Sequence, residues 1–341
     1  MHKITAFIVV ETTRPKKGKK EAALAPLVKS APHYFEKSVP AQFIVGHEST
    51  VIGDHTIELT AKSYPPDVLL VEGTIDSEDV FAEGTLDLKE KLLDACYQFA
   101  KKKGAKDEPT EEYTVYQISE YKGDPELFLK TQSQRIAGLL KSEKLTLDEK
   151  EIEHTLSFQF KYAKDDLVII DWDGAFIFDP NGEFGEIVEL FELANYQLLR
   201  YRMLDIDLDE RLHKISKMAE KANQRWRFFG TREIGQAYQE VIKLRSQSIS
   251  EFEALDRDIK LIGDWYLARL YDLATKKFKL EEWRVSVKEK LESLEDVYSI
   301  ISENFSISSA QIVDMVQAVG WLVLLVGYFV LFFLESKGIK W

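Results

Sequence analysis

Short apolar runs separated by stretches of helical spacing fill the chain from Lys3 to about Asp179. Runs rich in β-branched and aromatic residues and bounded by turn residues predict strands at 4–10, 42–45, 57–61, 68–73, 113–118, 156–162, 167–171 and 175–178. Between them, residues 86–104 place Leu88, Leu92, Leu93, Cys96, Phe99 and Ala100 on one helical face, with Gly104 as a stop. Residues 125–142 predict a second helix. The pair Asp173-Gly174, between VIIDW and AFIFD, predicts a tight hairpin turn built on positive φ angles. From Val68 onward the order of strand, helix, strand, helix and closing hairpin implies an α+β class. The expected arrangement is a two-layer, ferredoxin-like head with helices on one face of a mainly antiparallel sheet.

After Pro180 the pattern becomes amphipathic over long distances. A helix from about 185 to 227 sets Ile187, Leu190, Ala194, Tyr201, Leu204, Leu208, Ile215, Met218 and Ala222 in one register, with Phe191, Leu198, Leu212 and Ala219 beside them. That width exceeds a two-stranded seam and calls for a sheet or several helices opposite. Gly230 is read as its end, and a second helical stretch, opened by Thr231, follows through Ile262 and continues, with a kink near Gly263, through Tyr266, Leu270 and Leu273. A third segment, 280–301, leads through ENFSISS to the last apolar run, with Ser306 to Ser309 as an N-cap region.

That run, VQAVGWLVLLVGYFVLFFL, extends from Val316 to Leu334 and reaches about 28 Å as a helix, close to the hydrocarbon thickness of a bilayer. A buried core helix would keep a polar stripe, and here Gln317 is the only strongly polar side chain before Glu335. The reading is a C-terminal transmembrane helix. Trp321, Tyr328, Lys337, Lys340 and Trp341 are its expected interfacial anchors, and Gly320 and Gly327, on nearly one face, are candidates for self-packing. The implied domains are an α+β head (1–180), a helical hairpin or stalk (183–304), the span (312–335) and a short tail (336–341). Lys337 and Lys340 favour a cytoplasmic tail. The long flanking N-terminal part without an export signal favours the opposite sidedness, with the N-terminal part cytoplasmic, and that orientation is adopted.

Charge and cysteine content narrow the function. A net charge of −13 is wrong for a general nucleic-acid binder. The local exception is RPKKGKK, where Arg14, Lys16, Lys17, Lys19 and Lys20 read as an exposed loop. Its alternative role is contact with anionic lipid, worth about 1 kcal/mol per charge near a membrane surface. A single cysteine, Cys96, excludes an internal disulfide and fits a reducing compartment.

The segment ELANYQLLRYRMLDIDLDERL, from Glu192 to Leu212, follows a hairpin and precedes a helical hairpin running into a lone C-terminal span. In this it resembles the required-for-meiotic-nuclear-division family, with Ala194, Gln197, Leu208 and Asp209 at the matching positions. FSISSAQIVDM stands where that family often carries a leucine-glutamate-tryptophan signature. The resemblance implies membrane association and transfers no chemical role to any residue.

Candidate chemistry is sparse. FFGTREIG lacks the lysine of a phosphate-binding loop, and DPNGEFGE, from Asp179, has a calcium-loop start but reads as a turn and N-cap. His47, Glu48, Asp54 and His55 match no zinc spacing and read as polar hairpin residues near a turn at Gly46. Asp171 and Asp173, flanking Trp172, offer an acid/base pair or a cation site, against the plainer reading of solvated turn residues. No cofactor, metal or catalytic motif is called for. The resulting expectation is a non-enzymatic, membrane-anchored interaction or scaffold protein that binds lipid through its span and forms a homo-oligomer through its stalk helices. The alternative is a membrane-localised enzyme, or a ligand- or metal-regulated sensor, with its pocket between the sheet and the first long helix.

Overall fold

The computed structural model describes residues 2–13, 19–20, 42–225 and 265–336, with isolated helical positions between 239 and 253. The elements are β1 (His2–Thr12), β2 (Lys19–Lys20), β3 (Phe43–Ile52), β4 (His55–Tyr64), β5 (Val68–Ser77), α1 (Thr85–Lys103), β6 (Ala105–Ile118), α2 (Glu126–Leu140) and α3 (Glu149–Ser157). They continue with β7 (Gln159–Phe160), β8 (Leu167–Ile170), β9 (Gly174–Phe178), α4 (Gly185–Arg225), α5 (Trp265–Lys277) and α6 (Leu280–Ser336). The chain divides into two compact units, Met1–Ile206 with Glu251–Val287, and Asp207–Ser250 with Lys288–Trp341. The class is α+β, as the patterning predicts.

In the first unit the strands form one sheet in the order β2-β3-β4-β5-β1-β6-β9-β8-β7. Neighbours are antiparallel except β6 and β9. β1 is central, and every residue from Ile4 to Val10 is buried, an apolar run broken only by Thr5, as expected of a strand covered on both sides. Strand alternation sends Ala6, Ile8 and Val10 into one cluster with Ile57, Leu59 and Val71 of the sheet and Leu92, Cys96 and Phe99 of α1. Ile4 joins Tyr116, Phe176 and Phe178 beneath Ile136, Leu139 and Leu140 of α2. Phe7 points the other way, toward Tyr113, which touches Phe191 of α4 and Phe278 beyond α5.

Helices therefore cover both faces, and the expected two-layer arrangement is corrected to three layers within this unit. The physical reason lies in the second face. It carries Phe7, Tyr64 and Tyr113, all fully buried, and an aromatic face of that size must be covered. The opening of α4 and the whole of α5 thus belong to the unit that holds the sheet.

Local corrections have local causes. Residues 156–162 are the end of α3 followed by the two-residue β7, because Asp148 caps the helix, accepting from Lys150 N at 3.0 Å, with Glu149 and Glu151 in its first turn. Gly46 sits at a register shift inside β3, and the turn to β4 is made by Gly53 and Asp54 between the paired Ile52 and His55. Lys19 and Lys20 form β2, paired with Ile44 and Phe43, and are not loop. Gly104 stops α1 as expected. Its φ of 94° lets its N–H reach the carbonyls of Ala100 and Lys101, a conformation costly for a residue with a Cβ.

The second unit contains the later part of α4 and most of α6. Leu208, Ile215 and Leu294 are buried there, and Lys290 pairs with Asp209 at 2.7 Å. α6 is one uninterrupted helix of 57 residues, so Ser306 to Ser309 lie within a helix and do not start one. The expected helix end at Gly230 and kink near Gly263 lie outside the described residues.

Candidate functional site

The turn between β8 and β9 is one residue out of the predicted register. Ile170 pairs with Ala175, and Asp171 N–H donates to Gly174 O at 2.8 Å, so Trp172 and Asp173 are the central residues. None of Trp172, Asp173 and Gly174 has a positive φ. Gly174 is required for a different reason: a Cβ there would lie 2.6 Å from the carbonyl oxygen of Thr114 in the parallel neighbour β6.

This geometry withdraws Asp171 from solvent, against its reading as a solvated turn residue. Only 3% of it is exposed. Its Oδ1 lies 2.7 Å from Lys277 Nζ and accepts from Trp172 N–H at 2.8 Å. Its carbonyl accepts from the Tyr113 hydroxyl at 3.2 Å. Oδ2 has no hydrogen-bond partner, and Lys141 Nζ stands 3.7 Å away. Lys141 also pairs with Glu151 at 2.8 Å, and Lys277 lies 4.2 Å from the centre of the Phe158 ring. Lys141, Glu143, Glu151, Asp171, Trp172 and Asp173 line an open cleft of about 410 Å³.

Titration in and beside the cleft is uneven. Burial pushes the Asp173 carboxyl up, partly opposed by the positive charge of Lys89. Burial works against the Lys141 ammonium, but its hydrogen bond to Glu151 and the charge of Asp171 outweigh it and raise the net value. Lys89, on α1, is 4% exposed, and burial lowers its amine. Its Nζ donates to the Ser142 hydroxyl, and among the described residues it forms no ion pair. Ser142 is exposed and has φ 54° at the end of α2, where its N–H reaches Leu139 O and the Glu143 N–H reaches Gly138 O. Sequence reasoning missed this pair because Lys89 and Ser142 are far apart in the chain and each is unremarkable on an amphipathic helix or at its end.

Between the sheet and the first half of α4, where the alternative reading places a pocket, aromatic rings and paired charges meet. Tyr64 stacks on Tyr196 at 4.9 Å, and Tyr113 lies 5.3 Å from Phe191. Lys62 Nζ lies 2.8 Å from Glu72 and 3.0 Å from Glu192. Burial and the neighbouring Glu72 push the Glu192 carboxyl well up, while the two carboxylates overcome burial to raise the Lys62 ammonium. Gln197 accepts from the Tyr271 hydroxyl, Ala194 and Leu208 are buried, and Asp209 holds Lys290. The four residues that carry the family resemblance thus serve packing and pairing. Asp179 organises a turn, as expected, accepting from Asn181 N at 3.0 Å and Glu183 N at 2.8 Å.

His47 lies 3.2 Å from the Thr60 hydroxyl and 3.4 Å from Glu58. No group of three or more His, Cys, Asp or Glu side chains among the described residues is arranged to hold a metal ion. Cys96 is buried under the sheet, and burial pushes its thiol up.

Val313–Phe333 of α6 is a 21-residue stretch long and apolar enough to cross a membrane, and none of it is buried within the protein. Trp321 and Tyr328 are exposed, and a Cβ at Gly320 or Gly327 would meet nothing within 4 Å. Lys337, Lys340, Trp341, Arg14, Lys16 and Lys17 lie outside the described residues.

No solved structure matches the chain. The family model described as "Uncharacterized protein MJ0711, N-terminal domain" matches residues 10–184, which takes in β2 to β9 and the hairpin cleft. The protein of that name from Methanocaldococcus jannaschii is 30% identical over 255 residues, covering 75% of this chain and 76% of the relative. An N-terminal match over the sheet and a relative that extends beyond it together place the chain in the MJ0711 family.

Proposed function

We propose that the protein is a single-pass membrane protein held by Val313–Phe333, which displays its α+β unit at the cytoplasmic surface as an interaction module. The observation that carries this reading is the bare apolar helix. Twenty-one apolar residues of α6 are left unburied, an exposure that water penalises and a bilayer removes. Trp321, Tyr328, Lys337, Lys340 and Trp341 are its interfacial anchors, and the basic segment Arg14 to Lys20 adds a contact for anionic headgroups. Copies associate through the second unit and through Gly320 and Gly327, where two helices approach closely. The ferredoxin-like reading attaches to β5, α1 and β6, a split βαβ unit in which two mutually parallel strands flank β1.

The test is extraction. Membranes containing the full chain are washed with alkaline carbonate, and the protein is expected in the pellet, whereas a chain ending at residue 312 moves to the supernatant. Release of the full chain by carbonate overturns the reading. Cross-linking in mild detergent tests association. A multimer weakened by Gly320→Leu with Gly327→Leu is expected, and a monomer at all concentrations removes that part.

A second reading, a ligand-responsive head, is favoured by one observation: Oδ2 of Asp171, buried at the wall of the hairpin cleft, has no hydrogen-bond partner among the described residues, with Lys141 standing 3.7 Å away.

A further inference from the structure

We propose that Lys89 and Ser142 form an acyl-transfer site, with Lys89 as the general base and Ser142 as the nucleophile toward an ester of a small carboxylic acid. The inference is independent of membrane insertion and goes beyond the role of an anchored interaction module.

Three observations converge. A lysine is almost never buried without a carboxylate, yet Lys89 is buried on α1 with no ion pair among the described residues. A charged ammonium would present three donors to a single hydroxyl acceptor, while a neutral amine asks for less and can accept the hydroxyl proton. Burial lowers the amine, and the charges acting back on it are Asp173 of the β8–β9 turn, Glu112 of β6 and Glu90 of α1. Ser142, the partner, is exposed in the left-handed region, a position that glycine or asparagine fills at lower cost. The 410 Å³ cleft is lined by Lys141 and Glu143 and not by Ser142, so an ester reaches the exposed Ser142 hydroxyl from solvent.

The steps balance without a cofactor. Ser142 Oγ attacks the acyl carbonyl carbon as its proton passes to Lys89 Nζ. The bond from acyl carbon to leaving oxygen breaks, and the Lys89 ammonium returns the proton to that oxygen. Water then attacks the acyl-serine, giving its proton to Lys89. The acid departs, and Oγ recovers the proton as the serine hydroxyl. The adjacent N–H groups of Ser142, Glu143, Lys144 and Leu145 already have acceptors, at 3.3, 2.8, 2.9 and 3.1 Å. Stabilisation of the oxyanion is left to solvent, which restricts the site to reactive esters and excludes amides.

The full chain in detergent is treated with a fluorophosphonate probe and with p-nitrophenyl acetate from pH 6 to 11, with peptide mapping of the adduct. The expected result is a phosphonate on Ser142 and an esterase rate that levels off below the pH at which an ordinary lysine titrates. Ser142→Gly is expected to abolish labelling while melting at the same or a higher temperature, which separates chemistry from unfolding. Lys89→Met is expected to slow labelling about 100-fold or more. Absence of an adduct at Ser142, or Lys89→Met labelling at the unaltered rate, overturns the proposal. Should Lys89→Met fail to fold, the wild-type profile decides: a plateau supports the proposal, and a rate still climbing through pH 10.5 overturns it.

Discussion

Both faces of the sheet carry helices, but the two are held by different means. Under α1 and α2 the side chains are almost all apolar, with Leu92, Cys96 and Phe99 meeting Ala6, Ile8 and Val71, and Tyr116 stacked on Phe176 at 4.7 Å. Under α4 the aromatic core of Phe7, Tyr64 and Tyr113 is ringed by paired charges. Lys62 joins Glu72 and Glu192, Arg202 meets Glu111, and Arg200 lies 2.7 Å from Asp67. The first face is held by transfer of apolar area. The second depends on each charge keeping its partner, because attraction between buried ions only offsets the cost of removing them from water.

The sharpest test removes one component from each face. Phe176→Ala empties a site that also receives Phe81 and Phe178, and should cost about 3–5 kcal/mol in urea unfolding of the full chain in detergent. Lys62→Met should cost about 3 kcal/mol or more, although it adds apolar volume, because Glu192 is left buried with Glu72 as its neighbour. Adding Glu192→Leu to that variant should return most of the loss. If the double variant stays as unstable as the single one, the faces do not differ in the way described.

A smaller effect is expected from pH. Burial raises the Glu111 carboxyl, with Arg202 opposing, so the folded state holds that proton more tightly than the unfolded chain. Its contribution is complete below the ordinary carboxylate value and is lost as pH rises through the raised one. Unfolding free energy measured from pH 4 upward should therefore fall less steeply in Glu111→Gln, and an unchanged slope would show that the pair is solvated. The smallest expected change is Gly104→Ala at the end of α1, about 1 kcal/mol from the left-handed conformation, with the α4 face unaffected by hydrogen exchange.

The same difference explains what could be read beforehand. β1, β5, β8 and α1 announced themselves because apolar period and length are local properties of a chain. The second covering layer did not, since the stripe on α4 that begins at Ile187 and Leu190 looks the same whether it meets a sheet or other helices. α3 is hidden by the apolar run at its C-terminal end, while its start is marked by the cap at Asp148. The hairpin at Asp173-Gly174 is legible in the chain, but its glycine serves to admit the Thr114 carbonyl and not to supply turn geometry. Of the candidate site, Asp171 and Asp173 were visible as a pair, whereas Lys277, which holds Asp171, comes from a helix more than a hundred residues away.

By itself the sequence determined the periodic elements, the α+β class, the acidic charge and the apolar stretch at the end of α6, because each follows from side-chain order along a few turns or one strand. Tertiary packing alone sets helices on both faces of the sheet, buries Asp171 between lysines of α5 and the end of α2, and brings Lys89 to Ser142. Those outcomes depend on which distant segments share a volume from which water is excluded, and in that volume an unpartnered charge or hydroxyl acquires an energy it does not have in the isolated chain.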